Sequence, residues 1–398
     1  MYRRTINTNM SNTYMSKIFI LFFLLIVFSD AYNQNMSRQK ALEFAADYLN
    51  TARQQYKKNA MADWNNKLLR YDSLLMRLDY THFGNAPSGE KSLYISLHGG
   101  GNAPAKVNDQ QWENQKKLYK PTEGLYIAPR APTNTWNLWH EGHIDEMLGR
   151  IIKSAIVFEG VNPNKVYLLG YSAGGDGLFQ LAPRMASHWA AASMMAGHPG
   201  DANALPLRNL PFAIFMGAND AAYDRNKHAI TWGKMLDSLQ DADKGAYIHN
   251  VHVYEGLGHW MNRKDTVAIS WMAKFTRNPL PEKVVWIQDD RLHENFYWLG
   301  TENATTAAGN KAVVAINKAG NEITILENTF TQLLIYLNDE MLDLNRRVKI
   351  RVGEKIIFNK KVNRRESIIK KSIDQRLDQD VIFYGMVTVK NNREAAHQ

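Results

Sequence analysis

"LLGYSAGGDG", residues 168–177, sets a serine among glycines directly behind a short apolar run. It fits Gly-x-Ser-x-Gly, with Gly170 and Gly174 flanking Ser172. A five-residue pattern recurs by chance, so its meaning depends on its flanks. Ahead of it, "KVYLLGYS" (165–172) has the length and apolar continuity of a buried strand. Behind it, "AGGDGLFQLAPRMA" (173–186) has helical spacing. A serine on such a strand-to-helix turn is lifted clear of the sheet, and small neighbours permit the close backbone approach that the turn demands. The first amides of the new helix point toward negative charge that develops at the serine.

Working outward, the same alternation repeats. "SLYISLH" (92–98) and "GLYIAPR" (124–130) read as strands, and "IDEMLGRIIKSAIVFE" (144–159) as a helix. "AAASMMAG" (190–197), "PFAIFMGA" (211–218) and "YIHNVHVYEG" (247–256) are further strands, with helices expected near 226–240 and 264–276. Short apolar strands alternating with helices predict an α/β unit with a mostly parallel, doubly wound sheet covered on both faces. Residues 37–80 have apolar positions such as Ala41, Phe44, Ala45 and Tyr48 at helical spacing and are expected to be helical. After "NPLPEKVVWIQ" (278–288) the character becomes β throughout, with "VGEK" (352–355) as a tight hairpin turn and no comparable helix. The expected organisation is a signal segment at 1–31, a helical segment at 32–80, a catalytic domain at 81–280 and a separate antiparallel β-sandwich-like module at 281–398 with its own core.

A nucleophilic serine needs a base, and the base needs an orienting acid. "FMGANDAAYD" places Asp220 directly after a strand, with Asp224 four residues on as the lesser candidate. "VYEGLGHWM" places His259 in a glycine-flanked loop after the next strand. The order Ser, Asp, His therefore runs along successive strand ends, where parallel-sheet active sites lie. "LHGGGN" (97–102) follows an early strand and supplies glycines whose amides can converge on an oxyanion. Gly100 and the amide of Ala173 are the expected donors, with Gly99 or Gly101 in reserve, and His98 is expected to shape the loop. Trp136, Trp139, Tyr171, Tyr223 and Trp260 neighbour these loops, and one or two are expected to contact substrate.

Together, "SLHGGGN", "LLGYSAGGDG", "MGANDAAYDRN" and "EGLGHW" resemble the α/β-hydrolase superfamily, and are most similar to secreted esterases of the polyhydroxybutyrate-depolymerase and feruloyl-esterase type. The resemblance covers roughly residues 80–280. It implies Ser172 as nucleophile, Asp220 as acid and His259 as base. "MMAGHPG" matches a string found in such esterases and puts His198 beyond a strand end. Gly99, Trp136, Tyr171, His198 and Trp260 are the candidate substrate contacts, and no metal or cofactor is required. "HEGH" (140–143) has H-x-x-H spacing without an evident third ligand, so it reads as a helix start.

Composition narrows the alternatives. The 398-residue chain has no cysteine, which excludes disulfides, thiolate metal sites, a cysteine nucleophile and an N-terminal lipidated cysteine. Arg3, Arg4 and Lys17 precede "IFILFFLLIVF" (18–28), and Ser29 and Ala31 follow it. This is the pattern of a cleavable export signal, too short for a stable membrane span and implying a secreted or periplasmic protein. The segment from Arg346 to Lys371 holds eleven Lys or Arg against Glu354 and Glu366, which equals the whole net charge of +9. "RRVKIRV" alternates as a half-exposed strand does, so a solvated face is expected, with an anionic matrix as its partner and not nucleic acid. The expected activity is cleavage of a small or polymeric carboxylic ester. Two other readings stand beside it: a prolyl-oligopeptidase-like peptidase, and a non-catalytic glycan- or partner-binding protein with a vestigial hydrolase domain.

Overall fold

The computed structural model describes residues 35–302, 306–392 and 394–397. The expected export signal at 1–31 lies outside the described residues. No helix among those described is long and apolar enough to cross a membrane.

The chain begins with α1 (Arg38–Asn65), capped by Ser37, whose hydroxyl accepts from the Lys40 amide. The helix stops well short of residue 80. Lys67 and Asp72 take left-handed backbone angles, and β1 (Leu68–Tyr71) and β2 (Leu74–Phe83) form an antiparallel hairpin between them. The Leu pairs at 68–69 and 74–75 satisfy helical and strand periods alike. Met76 and Leu78, both buried, carry the two-residue alternation that decides for strand.

Next come β3 (Lys91–Leu97), α2 (Ala105–Leu118), β4 (Gly124–Arg130), α3 (Gly142–Ser154) and β5 (Val161–Tyr171). They are followed by α4 (Ala173–Arg184), β6 (Ala191–Met195), β7 (Phe212–Gly217), α5 (Arg225–Ala242), β8 (His249–Tyr254) and α6 (Val267–Met272). Eight strands make one sheet in the order β1-β2-β4-β3-β5-β6-β7-β8. β1, β2 and β4 pair antiparallel, and every later pairing is parallel. The edge hairpin thus belongs to this sheet, and the expected boundary at residue 81 falls inside β2.

Alternate side chains of the parallel strands enter two different cores. Leu93, Ile95, Leu168, Met194 and Ile214 face a core shared with α3, α4 and α5. Tyr94, Tyr126, Tyr167 and Phe215 face a second one with Trp112 of α2 and Met272 of α6.

The C-terminal part contains β9 (Lys283–Ile287), β10 (Asn295–Phe296), β11 (Leu299–Gly300), β12 (Lys311–Asn317), β13 (Glu322–Asn328), β14 (Gln332–Leu337), β15 (Val348–Val352), β16 (Lys355–Lys360), α7 (Glu366–Arg376), β17 (Gly385–Lys390) and β18 (Glu394–His397). Two five-stranded sheets result, β10-β11-β14-β17-β18 and β16-β15-β13-β12-β9. All their pairings are antiparallel except β13 with β15. Gly353, at φ +54°, turns the hairpin between β15 and β16.

Two features depart from the sequence expectation. α7 is a real helix, hidden by its place within the basic segment. The module's core is also continuous with that of the sheet: one connected set of buried apolar residues runs from Ile95 and Leu181 to Trp298, Ile335, Ile369 and Val387. Buried ionic contacts cross the same boundary. Arg277 pairs with Asp378 at 2.6 Å and donates to the Ser187 carbonyl, and Arg376 donates to that carbonyl too. α1 and α7 also meet: Tyr48 donates to Asp374 at 3.1 Å, and Arg53 to the Leu377 carbonyl at 2.8 Å.

The basic segment divides. Val348 and Ile350 are buried on β15, whereas Arg346, Arg347, Lys355, Lys360, Lys361 and Lys371 are exposed. Arg364 is buried and paired with Asp339 at 2.5 Å.

Candidate active site

Ser172 stands between β5 and α4 with φ 57° and ψ −122°, a conformation that is costly for any residue with a side chain. Its amide donates to the Met195 carbonyl, and its carbonyl accepts from the Asp176 amide to start the helix. The glycines around it are required by space. A Cβ on Gly170 would lie 2.2 Å from the Gly174 carbonyl oxygen, and one on Gly174 would lie 2.2 Å from that of Leu97. The turn is therefore wedged between its own helix and the end of β3.

The two loops that follow β7 and β8 are tied together by backbone bonds: Ala218 donates to Tyr254, and Asn219 to Leu257. This pairing brings Asp220 and His259 into register. His259 Nδ1 lies 2.7 Å from Asp220 Oδ2, and its Nε2 lies 2.9 Å from Ser172 Oγ. With Nδ1–H donating to the carboxylate, Nε2 is left as acceptor for the serine hydroxyl. The Asp220 side chain is 2% exposed, so its carboxylate acts on the imidazole with little solvent between. Asn226 fixes the acid loop by donating its side-chain amide to the Ala218 carbonyl and its backbone amide to that of Asp220. Asp224 points elsewhere: it pairs with Lys227 at 2.7 Å, its side chain is 59% exposed, and that lysine holds its carboxyl below the usual range.

The glycine loop after β3 approaches the serine closely. A Cβ on Gly99 would sit 3.1 Å from that of Ser172. Gly100 has φ +106° and borders both clefts that open at the serine, and Ala173 is the first residue of α4. Gly101 is unsuited to the donor role, because its N–H is taken by Asn108 Oδ1 at 2.8 Å. Asn108, fully buried, also donates to the Ala103 carbonyl and so braces the loop. His98 lies beneath: Nδ1 donates to the Gly99 carbonyl at 2.6 Å, and Nε2 accepts from the Ala131 amide at 3.1 Å. Burial pulls its pKa down to about 3, so the ring is neutral, as these two bonds require.

Two clefts meet at Ser172. The larger, about 810 Å³, is bordered by Gln111, Asn114, Tyr171, His259, Trp260 and Arg263. The smaller, about 350 Å³, is bordered by Trp136, His140, Ala173, Asp176, His198, Tyr223 and Arg225. Of the aromatic candidates, Trp136, Tyr223 and Trp260 present large exposed surfaces (67%, 76% and 51%). Tyr171 lines the larger cleft, but its hydroxyl is occupied, donating to the His259 carbonyl at 2.6 Å and accepting from the Met261 amide at 3.1 Å. Trp139 is no cleft residue: it is buried and donates to the His98 carbonyl. His198 lines the smaller cleft, where its backbone amide donates to Asp176 Oδ1 at 2.6 Å. Burial raises the Asp176 carboxyl above its ordinary range. The "HEGH" histidines straddle the start of α3. His140 is edge-on to Trp136, and His143 Nδ1 lies 3.3 Å from Glu141.

Asn108, Asp176, Arg225 and Asn226 were not singled out from the sequence. Asp176 lies inside the serine motif, and Asn226 is two residues past Asp224. Their roles arise from contacts across loops, which local pattern does not encode.

No protein-family model matches the chain, and no curated protein matches it significantly. Similar solved structures include a thermostable esterase, 16% identical over 53% of this chain and 62% of that one, with a TM-score of 0.41. Another is the siderophore hydrolase EstA from Aspergillus nidulans, 10% identical over 53% of this chain and 95% of that one, with a TM-score of 0.38. A third is Est1E from Butyrivibrio proteoclasticus, 12% identical over 52% of this chain and 95% of that one, with a TM-score of 0.35. A sheet that opens with an antiparallel hairpin, crosses β4 and β3 and then runs parallel to β8, with the serine turn after β5, has one name, and this chain has the α/β-hydrolase fold.

Proposed function

We propose that the protein is an exported serine hydrolase that cleaves carboxylic esters through an acyl-enzyme. The observation that carries this reading is the continuous hydrogen-bonded series Ser172–His259–Asp220, at 2.9 and 2.7 Å, opening on two clefts. In the first half-reaction His259 Nε2 takes the hydroxyl proton as Ser172 Oγ attacks the ester carbonyl. Asp220 holds the ring and stabilises the imidazolium. The amides of Gly100 and Ala173 face the tetrahedral oxyanion. His259 then returns the proton to the leaving alkoxide, and water repeats the sequence on the acyl-enzyme.

The imidazole must face the leaving group to protonate it. His259 borders only the larger cleft, so that cleft takes the alcohol and the smaller one the acyl chain. In kind, its motifs resemble those of secreted depolymerases and feruloyl esterases. The exposed lysines at 355, 360 and 361 serve contact with an anionic matrix.

A fluorophosphonate probe should label Ser172 alone, and Ser172→Ala should lower turnover by ~10⁴-fold or more while leaving the circular dichroism spectrum unchanged. A panel of p-nitrophenyl esters and dipeptide amides separates the esterase from a peptidase. Labelling at another serine, or an amide preferred over every ester, overturns the proposal. A chelator should change nothing.

A further inference from the structure

Arg225 stands at the acyl side of the site in no close ion pair among the described residues, although its charge is felt by Asp176 on the same wall. Arg184, Arg277 and Arg364 are each paired with a carboxylate, Asp145, Asp378 and Asp339 respectively, at 2.5–2.6 Å. Arg225 is half-buried on the wall of the smaller cleft, yet among the described residues no carboxylate pairs with it. Its one hydrogen bond among the described residues is a long one, 3.5 Å, to the Ala222 carbonyl. Its guanidinium carbon stands over the Tyr223 ring, 4.9 Å from the centre, a cation–π contact that satisfies none of its N–H donors. The Nε atom is buried and has no acceptor.

A second unpartnered nitrogen belongs to a residue of the same cleft wall. His140 Nε2 is buried without a partner, beside exposed Trp136. Asp176 is the one acid on the cleft wall, and its Oδ1 is engaged by the His198 amide. A cation outside any close ion pair, an imidazole and an apolar indole face on one cleft wall describe a place for a planar anion.

We propose that Arg225 makes the smaller cleft a carboxylate-binding subsite, so that the preferred acyl group carries a second, free carboxylate. The substrate class is then a half-ester of a dicarboxylic acid. The guanidinium holds the distal carboxylate while Ser172 attacks the ester carbonyl. This inference rests on the esterase reading above.

The experiment compares mono-4-nitrophenyl glutarate with 4-nitrophenyl valerate, which share leaving group and acyl length and differ in the terminal carboxylate. Rates are corrected for the hydrolysis seen with Ser172→Ala. The wild-type kcat/KM should favour the glutarate. In Arg225→Gln the glutarate-to-valerate ratio should fall about tenfold to a hundredfold, the span of a charged hydrogen bond, mainly through KM. Arg225→Lys, which keeps the charge but loses the planar fork, should fall in between. In parallel, calorimetric titration of glutarate should show binding to Ser172→Ala and none to the double variant Ser172→Ala/Arg225→Gln. If the valerate is preferred, or the ratio is unchanged in Arg225→Gln, the subsite is overturned and the esterase stands. If neither ester is cleaved and Ser172 is not labelled by the fluorophosphonate, the esterase reading fails and the subsite falls with it.

Discussion

Asp220 and Asp224 differ by four positions and by almost everything that matters to an imidazole. Asp220 is buried 2.7 Å from His259 Nδ1, whereas Asp224 is exposed and bound to Lys227. Asp220→Asn should therefore lower kcat by about 10⁴-fold, because an amide facing Nδ1 favours the wrong tautomer. Asp224→Asn should change kcat less than about twofold, in line with the small worth of exposed pairs. Steady-state kinetics on the two variants checks the ranking.

His98 sets a second expectation at this scale. Its native pKa lies near 3, against ~6.5 in an unfolded chain. Burial also lowers His140 to about 4 and pushes His188 well below its ordinary value. Between these values and pH 6.5 the unfolded chain binds more protons than the native one, so stability rises with pH in that window and is lost as the solution is acidified. For His98 the cause is visible: a protonated ring would turn a second donor on the Ala131 amide. Urea midpoints should fall steadily from pH 7 to pH 4.5, and His98→Gln should flatten that slope.

Elements fix how precisely the loops are held. The serine turn, the glycine loop and the acid and histidine loops each end a strand of one sheet, so their relative positions are set by strand pairing. Two side chains then lock the loops. Tyr171→Phe removes the bonds to the His259 carbonyl and Met261 amide, which frees the histidine loop without touching the relay itself. We expect kcat to fall about ten- to a hundredfold with the ester preference retained. Asn108→Ala leaves the half-buried Gly101 amide without its acceptor, at a cost of about 1 kcal/mol in stability, with a drop in kcat as the glycine loop loosens. Thermal melts and kinetics on both variants check these outcomes.

At this scale the sequence was most readable. "KVYLLGYS" and "PFAIFMGA" are continuous apolar runs because both faces of a central parallel strand are buried, and glycine marks the turns. It was least readable where periods overlap, as in "LLRYDSLLMRLDY", whose paired leucines suit helix and hairpin equally. The helix at 366–376 was obscured by the charges that decorate it.

The whole molecule is where local reading stops. Ser172, Asp220 and His259 were legible as an ordered set because each follows a strand signal, but nothing in the 281–398 segment announces that its core is continuous with that of the sheet. Arg277 and Asp378 are 101 positions apart and almost fully buried together. A chain ending near Asn278 would leave that arginine without its carboxylate and would bare the surface around Ala186 and Ser187 now met by Tyr297 and Arg376. Such a truncation is expected to aggregate rather than to retain small-ester hydrolysis, and its soluble yield and activity settle the point. Arg277→Met with Asp378→Leu, which removes both charges at once, should be far better tolerated than either single change.

The meeting of α1 with α7 has a consequence for the order of events in folding. Tyr48 and Asp374 are 326 residues apart in the chain. A bond of that span closes only after nearly all of the polypeptide has been synthesised, and contacts of such high contact order form slowly. During synthesis the C-terminal half of α1 can already meet Arg150, Ser154 and Glu159, whereas its N-terminal half waits for α7. The first half of this helix is therefore among the first segments made and among the last to be fully packed.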